Sequence, residues 1–229
     1  MIIEFGDKVK FVDNETTKKA VMNTEEAYNN WASQYDTNIN KTRDVEATAL
    51  QTALSGIPFE SCLEIGCGTG KNTVWFIEKA KQVTSVDLSA EMLAKAKEKI
   101  TTDKVQFVQA DITGNWAFRS RLYDLVSFSL VLEHIENLEH IFNETSQSLK
   151  TGGYVYIGEL HPFKQYAGSK ARFETEDGMQ VVECFTHHIS DFTQKAKKHG
   201  LSVIDINEHF DNDNRNEIPR ILTLLLRKI

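Results

Sequence analysis

The stretch Leu63-Glu64-Ile65-Gly66-Cys67-Gly68-Thr69-Gly70 passes from an apolar, strand-like run with one acid into glycines at alternate positions, and residues 72–79 beyond it carry a helical pattern. In an open α/β sheet, ligands sit outside the carboxyl ends of the strands, and glycines there let the backbone approach a bound nucleoside closely. By itself the loop is equally well read as a tight turn. Its surroundings decide the matter: strand 62–65, helix 72–79, strand 83–86, helix 89–100 and strand 105–108 form a βαβαβ unit. Such alternation calls for a parallel sheet wound by right-handed crossovers.

Upstream, helices are predicted over 24–35 and 42–54, where Val45, Ala49, Leu50, Ala53 and Leu54 recur at helical spacing before Gly56 and Pro58. Downstream come strand 123–128, helix 138–149, strand 154–160, helix 190–199 and two apolar strands, 201–206 and 220–227. The polar link 211–217 is too short for a helical crossover, so the last two strands should form an antiparallel hairpin. Residues 161–188 break the period and read as a lid without regular structure. The prediction is an α/β, mostly parallel seven-stranded sheet with helices on both faces and a small lid after the fifth strand. One domain over 1–229 is expected, with an N-terminal helical cap (1–55), a binding core (56–160), a lid and helix (161–200) and a C-terminal hairpin (201–229). Residues 1–23 carry no interpretable pattern.

Composition narrows the partners. Hydrophobic residues make up 41% and charged residues 26%, the balance of an ordinary globule. No apolar run approaches the roughly 20 residues that span a bilayer, and 1–20 resemble neither a secretory nor a transit segment, so a cytoplasmic location and no membrane partner are expected. A net charge of -7 disfavours nucleic acid, whose binding needs a dense basic face; Lys195, Lys197 and Lys198 read as a solvated helix surface. Cys62, Cys67 and Cys184 lack paired spacing, and the seven histidines lack helical ligand spacing, so no metal is expected.

Two more strand ends agree with the first. Val86-Asp87-Leu88 places a carboxylate where it can accept hydrogen bonds from both ribose hydroxyls. Gln109-Ala110-Asp111-Ile112 offers a second carboxylate for an adenine amino group and an apolar cover for the ring. This arrangement resembles the Rossmann-like class I methyltransferases, particularly the small-molecule branch that includes ubiquinone and menaquinone biosynthesis enzymes, over residues 24–160. The resemblance implies S-adenosylmethionine as cofactor, S-adenosylhomocysteine as product and a small-molecule acceptor. It implies that Glu64 orients the loop and the methionine amino group, that Gly66, Cys67, Gly68 and Gly70 admit the cofactor, that Asp87 and Leu88 hold ribose, and that Asp111 and Ile112 hold adenine. Phe128, Ser129 and Leu130 then fall near the sulfonium, and Tyr28, Trp31 and Tyr35 on an N-terminal covering helix near the methionine.

For a general base, His134 is the first candidate and His161 the second, since both follow strands whose carboxyl ends face the pocket. Phe163, Tyr166 and Arg172 in the lid are the candidate acceptor contacts; Lys164, Lys170 and Phe173 lie in the same segment. Two other functions stay open: a noncatalytic cofactor-binding protein, and an NAD-dependent oxidoreductase, although Lys71 stands where the G-x-G-x-x-G fingerprint needs its third glycine. The acceptor and the oligomeric state, a homodimer among the options, are not legible.

Overall fold

The computed structural model describes residues 23–175 and 178–229. In chain order the elements are α1 (Thr24–Trp31), α2 (Lys41–Leu54), β1 (Ser61–Ile65), α3 (Lys71–Lys79), β2 (Gln82–Asp87), α4 (Ala90–Lys99), β3 (Val105–Gln109), β4 (Tyr123–Ser129), α5 (Leu138–Ser148) and β5 (Leu149–Leu160). There follow α6 (Pro162–Tyr166), β6 (Arg172–Thr175), β7 (Gly178–Val181), α7 (Ile189–Lys198), β8 (Leu201–His209) and β9 (Ile221–Lys228). Seven strands make one sheet in the order β3-β2-β1-β4-β5-β9-β8. Only β9 runs against the rest: it pairs antiparallel with both β5 and β8. Winding reverses between β1 and β4, so their carboxyl ends open the crevice in which such folds place ligands.

Strand β1 is buried at every position, as expected where helices cover both faces of a parallel sheet. One layer packs Ile141 and Phe142 of α5 and Phe192 of α7 against Leu63, Val126 and Leu224. The other packs Leu50 and Leu54 of α2 and Phe76 of α3 against Cys62, Leu125 and Tyr156. Helix starts are capped where the sequence offers Asn or Ser: Asn23, Asn40 and Ser89 accept from the backbone of Glu26, Arg43 and Met92.

Two sequence expectations change. The first helix ends at Trp31, and Tyr35 lies in the turns that follow. The segment expected to be an irregular lid instead holds α6 and the two-stranded β6–β7 hairpin, elements of four or five residues that are too short to show a period. Residues 1–22 of the expected cap, and the side chain of Phe173, lie outside the described structure. Among the described residues no helix is long and apolar enough to cross a membrane.

Candidate functional site

The carboxyl ends of β1 to β4 and helix α1 enclose a first cavity. Gly66 and Gly68, Asp87 and Leu88, Asp111 and Ile112, and Ser129 and Leu130 line it from successive strand ends. Tyr28, Tyr35 and His134 close it from above. Of the expected cofactor residues, these reach the space; Thr24, Val131 and Ile135 also line it and were not anticipated.

The amides of the glycine loop are turned into the protein. The Gly66 and Cys67 amides donate to the Val86 carbonyl at 2.7 and 3.0 Å, and the Gly70 amide to the Cys67 carbonyl at 2.9 Å. The Gly68 amide donates to Asp87 Oδ2 at 2.7 Å. These donors are all engaged within the protein. Gly66, at φ 72°, has no room at all: a Cβ there would sit 2.1 Å from Val131 Cγ2. At Gly68 a Cβ would meet nothing nearer than Tyr35 Cε1 at 4.0 Å and would project into open space.

Asp87 is fixed by two backbone donors, Gly68 N on Oδ2 and Ser89 N at 2.9 Å on Oδ1, which leaves further lone pairs on the carboxylate. Burial nonetheless raises its pKa above the usual carboxylate value. Asp111 Oδ1 accepts from Thr113 N and Oγ1 at 2.8 and 2.7 Å, while Oδ2 has no hydrogen-bond partner among the described residues. Leu130 holds a left-handed backbone at φ 58°, pinned by its amide on the Gly158 carbonyl at 2.8 Å. For a leucine this is strained, and such strain gathers at functional sites.

The roof is tied down by polar contacts. Ser89 Oγ donates to Asn29 Oδ1 at 2.7 Å, joining α1 to the start of α4. Asp36, beyond α1, accepts from Thr69 Oγ1 at 2.6 Å and from Lys99 Nζ at 2.5 Å. His134 Nδ1 lies 2.9 Å from the Glu183 carbonyl, which can only accept, so that nitrogen carries a proton; in the neutral ring Nε2 then accepts from the Tyr28 hydroxyl at 2.9 Å. Burial lifts Tyr28 well above the ordinary tyrosine range, which keeps its hydroxyl a donor.

A second cavity adjoins the first, and Tyr28, Tyr35 and Leu130 line both. Its other walls come from Trp31, Arg43, Glu133, Lys170, Arg172 and Arg220. Trp31 therefore faces this space and not the first.

Several expected residues lie elsewhere. Phe128 is 1% exposed and packs on Trp116 in the core. Cys67 is buried beneath the loop, and Gly70, at φ 83°, is the helix cap of α3, with Ile100 and Ala96 beside it. Glu64 lines neither cavity: its Oε2 accepts from Thr73 and Ser85 at 2.5 and 2.7 Å, bracing β1 against α3 and β2, and burial pushes it up to about 7. His161 is fully buried; it lies 3.0 Å from Glu208 and caps α6 by accepting from Phe163 N at 3.2 Å. It lines neither cavity, its ring meeting Glu208 of β8 instead. Phe163 and Tyr166 are 49% and 54% exposed and line neither cavity, the Tyr166 hydroxyl meeting His188. Of the three expected acceptor contacts only Arg172 lines one.

Residues 63–157, from β1 into β5, match a family of methyltransferase domains. The solved DhpI-SAM-HEP complex is 26% identical, with a TM-score of 0.70 over 88% of this chain and 94% of that one. Over this segment and in its fold the chain is similar to methyltransferases. A malonyl-[acyl-carrier protein] O-methyltransferase of Salmonella typhimurium is 30% identical over 76% of this chain and 65% of its own. A ubiquinone biosynthesis O-methyltransferase of Pectobacterium atrosepticum is 26% identical over 62% and 59% respectively. The chain thus spans less than two thirds of these curated relatives. In family terms, the matched segment supplies the strand ends of the first cavity, whereas α1, α2 and the β6–β7 hairpin around the second lie outside the match.

Proposed function

We propose that the protein transfers a methyl group from S-adenosylmethionine to a small-molecule acceptor and releases S-adenosylhomocysteine. The observation that carries this reading is the convergence of Asp87, Asp111 and Ile112 on one cavity whose floor at Gly68 is open and whose far wall, Leu130 with Tyr28, is shared with a second cavity. The residues present fit the cofactor: Asp87 has lone pairs for two ribose hydroxyls, Asp111 Oδ2 is available to an adenine amino group, and Ile112 and Leu88 supply apolar cover. Bound S-adenosylmethionine supplies a methyl carbon made electrophilic by its sulfonium.

The chain's own work is positioning and exclusion of water, which suits a transfer that needs alignment more than covalent catalysis. Tyr28 and Tyr35 roof the first cavity and form an aromatic group with Trp31, the ring centroids 5.7 Å apart for Tyr28–Trp31 and 4.9 Å for Trp31–Tyr35. Leu130 separates the two spaces. His134 is the base candidate at the boundary. Its Nε2 is occupied by the Tyr28 hydroxyl, so an acceptor proton reaches it through that hydroxyl or after displacing it.

The test is to incubate the protein with S-adenosylmethionine and fractionated small-molecule extract and to follow S-adenosylhomocysteine formation. Turnover with some fraction, lost in Asp87→Ala, supports the reading. Tight cofactor binding without turnover in any fraction would replace it with a noncatalytic one.

A further inference from the structure

The second cavity is lined by more cations than carboxylates. Four cations line it, Arg43, Lys170, Arg172 and Arg220, against one carboxylate, Glu133, in a chain whose net charge is -7. Their environments differ. Arg220 is satisfied: both its Nε and Nη2 meet Asp211 at 2.5 Å, and Nη1 donates to Thr42 at 3.0 Å. Arg43 has no carboxylate within ion-pair distance among the described residues. Its two terminal nitrogens donate to the carbonyls of Tyr35 and Asn38, at 2.6 and 3.0 Å, and its Nε is buried without a hydrogen-bond partner. The nearby carboxylate of Asp36 is held instead by Lys99 and Thr69. Lys170 and Arg172 are exposed, and neither forms an ion pair with a side chain that the structure describes.

Glu133 does not offset them. It is 7% exposed, one of its oxygens is buried without a partner, and burial raises its pKa, which favours the uncharged acid. Cations along a low-dielectric wall with no counter-ion draw in anions, and guanidinium groups match carboxylate and phosphoryl oxygens in geometry.

We propose that the second cavity binds a small acceptor through an anionic oxygen group, a carboxylate or a phosphoryl group, held by Arg43 at depth and by Lys170 and Arg172 at the rim. The remainder of the acceptor then extends along Tyr28 and Leu130, which the two cavities share, toward the first. This rests on the function proposed above, because it assigns the first cavity to the cofactor and the second to the acceptor.

The experiment is calorimetric titration of the full chain, saturated with S-adenosylhomocysteine, with succinate, methylphosphonate and the uncharged succinamide. Succinate or methylphosphonate should bind at least about tenfold more tightly than succinamide, and the tighter of the two names the anion class. The double variant Lys170→Gln/Arg172→Gln should lose about tenfold in anion affinity while its affinity for S-adenosylhomocysteine stays within about twofold. Arg43→Gln should lose anion binding altogether; because Arg43 also fastens the turn after α1, the rim variant decides if this one does not fold. Equal binding of succinamide and the anions, or unchanged anion affinity in the rim variant, overturns the proposal while leaving the cofactor assignment standing. Failure of S-adenosylhomocysteine to bind overturns both and is read in the first titration.

Discussion

The two adjoining cavities are built on different principles. The first is made of strand ends: Gly66 and Gly68, Asp87, Asp111 and Leu130 come from four successive strands of one winding unit, each at the position its strand dictates. The second is assembled from parts distant in sequence, with Arg43 on α2, Glu133 after β4, Arg172 on β6 and Arg220 before β9. A ligand that every related protein shares fits the first kind of construction. A ligand peculiar to one protein fits the second, since its walls change without disturbing the sheet.

The largest expected effect belongs to the first cavity. Asp87→Ala removes a carboxylate placed for two ribose hydroxyls, and two charge-assisted hydrogen bonds at about 1.5 kcal/mol each correspond to roughly a hundredfold loss of S-adenosylhomocysteine affinity by calorimetry. An unchanged dissociation constant would mean that the strand-end construction does not bind this cofactor.

Next, two neighbouring glycines should fail in different ways. Gly66→Ala meets Val131 and a left-handed backbone, so thermal or denaturant unfolding should show a loss of at least about 2 kcal/mol. Gly68→Ala has room for its methyl group and should cost only about 1 kcal/mol of backbone strain, yet it should weaken cofactor binding by filling the floor. If both lose stability equally and bind equally, the distinction between a packed and an open glycine is wrong.

The second cavity should respond on the acceptor side alone. Once an acceptor is known, Arg172→Ala should raise its KM about tenfold with cofactor affinity intact, the pattern of lost binding common to ground and transition states. Tyr166→Ala should change neither parameter by more than about twofold, because its ring lines neither space. Equal effects of the two would restore the whole segment as an acceptor contact.

A smaller effect concerns the support beneath the first cavity. Burial pushes Glu46 up to about 7 from an ordinary 4.5, and it accepts from Asn72 and from Tyr156. Between those values the folded protein holds a proton that the unfolded chain has released, so this group's contribution to stability falls as pH rises through the window. The unfolding midpoint of Glu46→Gln should therefore gain on that of the native protein from about pH 5 to pH 7. A constant difference would contradict the assignment.

The same contrast explains what the sequence revealed. Strands β1 to β5 and their helices were legible because each is a run long enough to show its period, and Asp87 and Asp111 followed from strand-end position. The side-chain directions at those ends were not legible: Phe128 and His161 sit where the rule places them along the chain, yet both turn into the core. Arg43 could not be found at all, since nothing local marks a helix residue whose importance comes from Tyr35, Leu130 and Arg172 around the same space. The exposed apolar residues of β8, Val203, Ile204 and Ile206, read as an ordinary strand because periodicity does not distinguish an edge from a centre.

The central claim is that the strand-end cavity takes S-adenosylmethionine and not the dinucleotide that related sheets bind. Calorimetric titration of the native protein with S-adenosylhomocysteine and, separately, with NAD tests it most directly. The account predicts saturable binding of S-adenosylhomocysteine, with stabilisation of about 2.7 kcal/mol at a hundredfold excess over its dissociation constant, and no binding of NAD. Saturable binding of NAD with none of S-adenosylhomocysteine would contradict it.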